Sequence, residues 1–491
     1  MRAANKPHAD ILRTPQAGAL VIRGGVLRAG GYAAGIGFAA ATSVFLLRGL
    51  GVVDFGRYAT VAALLGIVST LSDAGLTAVG VRELALRAPG RARDELLGNL
   101  VALRIGFGVL GLAAAVGFAV AVDYDRTMVY GVLLGGLGVL LVNSQATMMA
   151  PLSVELRLGR ITAVELLRSA ATLAGVAALA LAGASLLPYF AVQVLVGLLV
   201  LALTPALLQS TRGLVPRLRR IEALALVRDA APVAVALAMN VLYLRLLVVL
   251  VSLDGDRTET GLYATAFRVV ELFVVVPPLV LGTALPLLAA AAAEDVHRLR
   301  FAVQRLIEIS AVGALGLALV VAVVARPALR LLGGEDFVGA TTMLQIQIWA
   351  LVPLALGSAV SFGLLSLRKQ RDLALSNALA LATVLTAGIA LVAAFGGTGA
   401  AVAGLVAESA LLIALVAFLV RADGSLVPRP AFFWRPLAAL AAGAATLLAP
   451  LPEWVDGLAA GLAFAVVAFA VSAVPRELVE ALLRRAPGDR P

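Results

Sequence analysis

Eight ionisable residues stand inside apolar runs long enough to cross a membrane: Arg104, Arg168, Arg245, Arg268, Asp73, Glu165, Glu271 and Glu408. A charge near the centre of a lipid-embedded helix costs roughly 2.5–3.5 kcal/mol on insertion scales, so each must face protein or a wet cavity. A guanidinium keeps its charge and offers a planar fork that takes carboxylate or phosphate oxygens two at a time, so four such groups make a cationic lining that suits an anionic cargo. Glu165 with Arg168, and Arg268 with Glu271, are three residues apart, the spacing at which a helix lets opposite charges neutralise each other. Arg104 lies about two turns from the end of its run, where it either snorkels to the headgroups or lines a cavity. Arg245 lies deeper, with Asn240 and Tyr243 beside it in sequence, and reads as cavity-lining. Asp73, flanked by Ser69, Ser72 and Gly75, and Glu408, beside Ser409, are either hydrogen-bonded packing or sites for a proton or cation.

The elements that hold these residues follow from composition. Hydrophobic residues make up 61% of 491 and charged residues 14%, against about 45–50% and 25% in soluble domains. The fold class is an all-α integral membrane protein, since the alternating segments of a membrane barrel are absent. A span needs about 20 apolar residues, and fourteen stretches qualify, the first at 29–47 and the last at 455–475. Lys and Arg concentrate in alternate connections, which predicts both termini on the cytoplasmic side of the inner membrane. The net charge of +10 is scattered through these short loops with no aromatic nucleic-acid motif beside it, so nucleic acid is not an expected partner. With no cysteine, and with His8 and His297 far apart, there is no disulfide, metal cluster or catalytic triad to read and no cofactor is implied. Glycines 135, 136 and 138 lie within an apolar run and are packing glycines, not a nucleotide fingerprint.

The expected organisation is a basic leader (1–28), an N-lobe of spans 1–6 (29–208), an amphipathic linker (209–228), a C-lobe of spans 7–12 (229–420), spans 13 and 14 (421–475) and a tail (476–491) whose residues 477–486 form either a second surface helix or a solvated charged segment. In the linker, Leu214, Leu218, Ile221 and Ala225 recur at helical spacing among arginines, which predicts a helix lying in the membrane interface. Gly-x-Tyr-Ala-Thr occurs at 56–60 and returns at 261–265, opening span 2 and span 8, an offset of six spans that fits two six-helix lobes with a substrate path between them. A second echo sets LRGLGVVDF (47–55) against LRLLGGEDF (329–337). Residues 48–57 are expected to form a hairpin, with Asp54 between Arg48 and Arg57 and glycines at 49, 51 and 56 for the reversal. Pro277 and Pro278 predict a kink in span 8.

FLLRGLGVVDFGRYA (45–59), LSDAGLTAVGVREL (71–84), VELLRSAATLAG (164–175), TETGLYATAFRVVELFVVVPPLV (258–280), ALPLLAAA (284–291), LRLLGGEDF (329–337) and GGTGAAVAGLVAES (396–409) carry a resemblance over about residues 25–420. The chain resembles the polysaccharide flippases, the O-antigen and exopolysaccharide unit exporters of the multidrug/oligosaccharidyl-lipid/polysaccharide exporter superfamily. The resemblance implies a transporter, not an enzyme, that flips polyprenyl-pyrophosphate-linked oligosaccharides to the outer leaflet by alternating access for cell-surface polysaccharide biosynthesis. Its implied partners are the lipid-linked oligosaccharide, membrane lipids and the polysaccharide assembly machinery. The substrate side chains are then Arg104, Arg168, Arg245, Arg268, Asn240 and Tyr243, with Asp73, Glu165, Glu271 and Glu408 as ion-coupling groups or charge partners. Such flippases often carry an aspartate two positions after the arginine of the segment like LYLRLLVVL (242–250), but Leu247 stands there, which leaves Arg245 without a local partner. Alternatives are a peptidoglycan-precursor (lipid II) flippase, a multidrug exporter of the same superfamily, and a multispanning glycosyltransferase or polymerase. The last would need catalytic groups in outer connections too short to hold an acceptor cleft.

Overall fold

The computed structural model describes residues 15–88, 90–208, 215–254, 256–282, 288, 291, 296–426, 432–448 and 452–473. Every regular element among them is helical. Ten helices are long and apolar enough to cross a membrane, or eleven if one bent pair counts as a span. Their outward faces carry large apolar side chains such as Leu110, Ile413 and Leu458, each more than 60% exposed. Such faces are stable only against hydrocarbon, and the chain is a multi-spanning integral membrane protein.

The chain divides into two compact units. The first comprises residues up to Leu50 together with Leu64–Ala238, and the second Gly51–Ala63 with residues from Met239 onward. In the first, α1 (Pro15–Asp73) has 59 residues with a break at Gly51, where φ is 68° and ψ 177°; a straight helix of that length would run about 90 Å, far more than one bilayer. Next come α2 (Leu76–Leu86), α3 (Arg91–Ala121), α4 (Arg126–Met148), the short α5 (Ala150–Val154), α6 (Leu158–Leu181), α7 (Leu186–Leu207) and α8 (Arg220–Leu253).

Close contacts give the sense of α1 on each side of its break. Gly31 lies against Thr162 and Gly49 against Ala180, so the first half runs along α6 in the same direction. Gly135 lies against Leu65 and Asn143 hydrogen-bonds Ser69, so the second half runs along α4. In turn α4 runs parallel to α7, with Gly131 against Phe190 and Gly197 against Leu141, and α7 is the antiparallel neighbour of α6 across a short turn. The halves of α1 are therefore antiparallel, and the reversal predicted for 48–57 occurs at Gly51, whose positive φ glycine adopts without a Cβ penalty. Arg57 closes on Asp54 at 3.1 Å just beyond it.

The linker differs from expectation. Residues 209–214 lie outside the described residues, and from Arg220 the chain is one helix that runs through the predicted boundary at 228, bending by 43° between Val235 and Leu237. Its start is fastened to α2 and α3. The Arg217 amide donates to the Gly98 carbonyl at 3.1 Å, Glu222 accepts from Arg87 at 2.7 Å and from Asn99 at 3.4 Å, and Leu226 and Ala230 join a buried cluster with Leu76, Leu84, Leu96 and Leu100. Leu218 and Ile221 remain strongly exposed, so the apolar face foreseen for the interface is present while the opposite face packs on protein. The tail segment 477–486 and the leader up to residue 14 lie outside the described residues.

The second unit contains α9 (Arg257–Val274), α10 (Val276–Gly282), α11 (Val296–Val323), α12 (Ala325–Gly333), a 3-10 stretch (Glu335–Ala340), α13 (Thr341–Gln347), α14 (Leu351–Ser366), α15 (Gln370–Ala422), α16 (Trp434–Ala445) and α17 (Glu453–Ala470). The break between α9 and α10 falls two residues before Pro277, where a proline near the start of a new helix costs no hydrogen bond. The 53-residue α15 breaks at Gly396, where φ is 55°. A Cβ on Gly399 would lie 1.9 Å from the Leu391 carbonyl oxygen, whereas eight residues of straight helix would separate the two by about 12 Å. The chain therefore reverses there, and Glu259 of α9 accepts the Gly397 amide at 2.9 Å. The core is apolar, with Leu299, Val303 and Ile307 packed on Val360, Leu364 and Leu419. α16 and α17 cover another face of α11 through Ala439, Ala460 and Phe464.

Both sequence echoes meet in this unit. Gly56 packs on Gly261 so closely that a Cβ at 56 would lie 2.8 Å from the Gly261 nitrogen. In each copy the threonine donates to its glycine carbonyl, Thr60 to Gly56 at 3.0 Å and Thr265 to Gly261 at 2.7 Å. Phe55 and Phe337, which end the second pair of echoes, meet edge to face at 6.3 Å.

Candidate functional site

The helical spacing that sets Arg268 and Glu271 on one face of α9 brings Arg268 Nη1 to 2.9 Å from Glu271 Oε2. From α8, Arg245 Nη2 reaches the other oxygen, Oε1, at 2.5 Å, and its guanidinium stands 5.8 Å from the Phe267 ring centre. The partner that the segment around Leu247 does not supply thus comes from another helix. Side-chain exposures of 30% for Arg245, 23% for Glu271 and 33% for Arg268 leave the cluster half-open. One carboxylate serves two guanidiniums, which lowers the cost of holding charge in a segment where isolated charge is costly. Asn240 and Tyr243 do not join it: Asn240 is exposed, and the Tyr243 hydroxyl is buried without a hydrogen-bond partner.

In the first unit, Arg104 does not snorkel to the headgroups. It is 4% exposed, pairs with Asp73 and donates to the Thr77 hydroxyl at 2.6 Å. Thr77 also bonds Asp73, and Ser72 donates to the Arg104 carbonyl at 3.2 Å. Asp73 closes α1, and after Ala74 and Gly75, both with positive φ, Thr77 lies in the first turn of α2; the break between the helices carries two of the partners to the third. Here one carboxylate meets one guanidinium and the arginine is buried, which fits packing.

Glu165 and Arg168 are exposed on α6 and do not pair with each other, despite their spacing; their backbone carbonyls receive Ser169 and Thr172. Helical periodicity puts them on one face, but rotamers decide the contact. Glu408 is 6% exposed in α15 and accepts no hydrogen bond from the described residues. Polar groups that charge alone did not single out also bridge helices: Asn143 to Ser69 at 3.1 Å, and Gln347 to the Tyr263 hydroxyl at 3.4 Å. Their signal was an amide inside an apolar run.

Residues 45–342 match the family model described as Polysaccharide biosynthesis protein. The chain belongs to that family. No curated protein matches it. Among solved structures, the lipid II flippase MurJ in its inward closed conformation is similar at 12% identity, with 94% of this chain and all of that one covered and a TM-score of 0.67. An inward-facing multidrug resistance MATE family transporter of the MOP superfamily is similar at 14% identity over 79% of this chain and 95% of its own, with a TM-score of 0.65. A eukaryotic MATE transporter is similar at 15% identity over 83% and 99%, with a TM-score of 0.54. At such identities the likeness is one of fold. The chain has the fold of these MOP-superfamily transporters.

Proposed function

We propose that the protein flips a polyprenyl-pyrophosphate-linked saccharide from the cytoplasmic to the outer leaflet of the inner membrane. The observation that carries this reading is the half-open Arg245–Glu271–Arg268 cluster. A diphosphate cannot cross hydrocarbon bare, and two guanidiniums offer paired donors matched to its oxygens. Arg104, locked to Asp73, is better suited to hold α1, α2 and α3 together than to touch cargo, and Arg168 serves as an exposed accessory charge. A solved structure similar over 94% of this chain is a lipid II flippase, which makes a peptidoglycan-precursor lipid the first cargo to test. The family model supports a second reading, an oligosaccharide unit for a surface polysaccharide passed to its assembly machinery. A multidrug exporter with this fold would need acidic or aromatic surroundings for cations, and the excess arginine disfavours it.

Transport would expose the cluster alternately to the two sides, with the packed pairs Gly56–Gly261 and Phe55–Phe337 as a closure that must part. Fourteen spans are compatible with the breaks: Gly51 and Gly396 each divide one long helix into two of crossing length, the bent α8 adds one, and the short α16 is the last. Both termini are then cytoplasmic, as the loop charges require.

The test is a liposome assay with fluorescent lipid-linked substrates: a peptidoglycan-precursor lipid, an oligosaccharide on polyprenyl pyrophosphate, and a cationic dye. One pyrophosphate lipid should flip, and more slowly in Arg245→Ala and Arg268→Ala. Dye transport alone, unaffected by either substitution, would overturn the reading.

A further inference from the structure

We propose that the second unit holds a lipid site: an apolar pocket beside the break between α9 and α10 that takes one ester-linked acyl chain of a bilayer phospholipid. This does not depend on the flippase reading. The pocket has a volume of about 190 Å³. It is walled by Phe273, Val276 and Pro277 at the break, by α11 between Ile309 and Leu317, and by the start of α14. All of these walls belong to segments of crossing length. Protein interiors hold few voids larger than a water molecule, so a space of this size needs an occupant. Water is a poor one, because it requires two to four polar partners and Ser310 is the single polar side chain of the lining.

Access and chemistry select a lipid chain. Gly313 lines the pocket and is exposed, and a Cβ built there would meet nothing within 4 Å, so a slot is open on α11. Val276, on another wall, is 37% exposed and equally apolar. Within a span the surrounding medium is hydrocarbon, and the wall from Ile309 to Leu317 runs about 12 Å along the helix axis, enough for part of a chain. The head end is marked as well. Arg305 and Glu308 pair at 2.6 Å, and from Ile309 to Val323 no charged residue follows, so Ser310 stands where α11 enters its apolar stretch. Ser310 is 7% exposed, and its hydroxyl has no hydrogen-bond partner among the described residues. A buried hydroxyl left unpaired is costly, and rotation about its Cα–Cβ bond aims it at a new acceptor. The carbonyl of an acyl ester, at the edge of the hydrocarbon layer, is such an acceptor; a polyprenyl chain has none along its length. A chain seated there packs α10 against α11 at the point where the helix ladder of α9 is interrupted.

The experiment reconstitutes the purified full-length chain in liposomes containing a phospholipid with a diazirine midway along one ester-linked chain, and maps the photoadducts by mass spectrometry of peptides. Adducts should concentrate on α10 and on residues 309–317, severalfold above those on the exposed Leu458 and Leu462 of α17. Gly313→Trp fills the slot and should bring the pocket signal down to the level of α17 while leaving α17 unchanged. Ser310→Ala should lower labelling by the ester probe severalfold and leave an ether-linked probe, already weaker, where it was. In detergent, added phospholipid should raise the Tm of the wild type and not that of Gly313→Trp. The fold of that variant is checked by its Tm without lipid, and Gly313→Leu takes its place where tryptophan lowers that value. Pocket labelling no higher than on α17, or unaltered by both slot-filling variants, would reveal a plain packing void and overturn the proposal. Pocket labelling by a diazirine polyprenyl phosphate in place of the phospholipid would overturn the acyl-chain assignment.

Discussion

Two ion clusters, one in each compact unit, use the same chemistry to opposite ends. Arg104, Asp73 and Thr77 close a break between helices with one carboxylate on one guanidinium and the arginine 5% exposed. Arg245 and Arg268 share the Glu271 carboxylate, and the three side chains stay about a quarter to a third exposed. An arginine inside a membrane span is therefore no functional sign in itself. Access separates the two clusters: the Arg104 guanidinium is buried against its partner, while the Arg245 and Arg268 guanidiniums are partly open.

The comparison breaks most sharply at Asp73. Asp73→Ala strands the Arg104 guanidinium and should destabilise the protein by about 3–5 kcal/mol, measured by unfolding in detergent. The pair Asp73→Leu with Arg104→Leu should recover most of that loss, because apolar groups of similar volume need no partner. A large loss in both the single and the double variant would show that the cluster does more than brace. In the other unit, Arg245→Ala and Arg268→Ala should each lower lipid flipping by roughly tenfold to a hundredfold, the worth of a charge-assisted hydrogen bond, with little change in unfolding. Gly261→Ala perturbs α9 without touching any charge. Its Cβ would lie 2.0 Å from the Val52 carbonyl oxygen, so stability should fall by about 1–3 kcal/mol while pyrophosphate affinity stays at the wild-type value. The smallest effect belongs to Arg168→Ala on the exposed face of α6, within about 0.5 kcal/mol in stability. A larger loss there would place a partner against it.

Much of the fold was legible. Apolar runs marked the helices, and the glycine-rich stretch at 49–56 and the Gly-Gly at 396–397 sit where the chain turns back. The prolines at 277 and 278 lie just after a real break. The described residues hold ten or eleven helices of crossing length against the fourteen spans read from the sequence, since helices that continue through a reversal merge into one long element, and α16 at 12 residues is too short to pass as a crossing. The site was only half legible. Arg268 and Glu271 pair as their spacing predicts, yet Glu165 and Arg168 at the same spacing do not.

Sequence by itself determined that the chain is an all-α protein that crosses the membrane many times, because burial of some 20 apolar residues outweighs any local preference. It also held the repeated Gly-x-Tyr-Ala-Thr. Tertiary structure alone decided that the two copies touch through their glycines, that Arg245 finds Glu271 from another helix, and that Arg104 is sealed by Asp73. Side-chain partners 26 or 31 residues apart leave no period in the chain. Helix packing sets those distances, and with them which arginines remain open to a ligand.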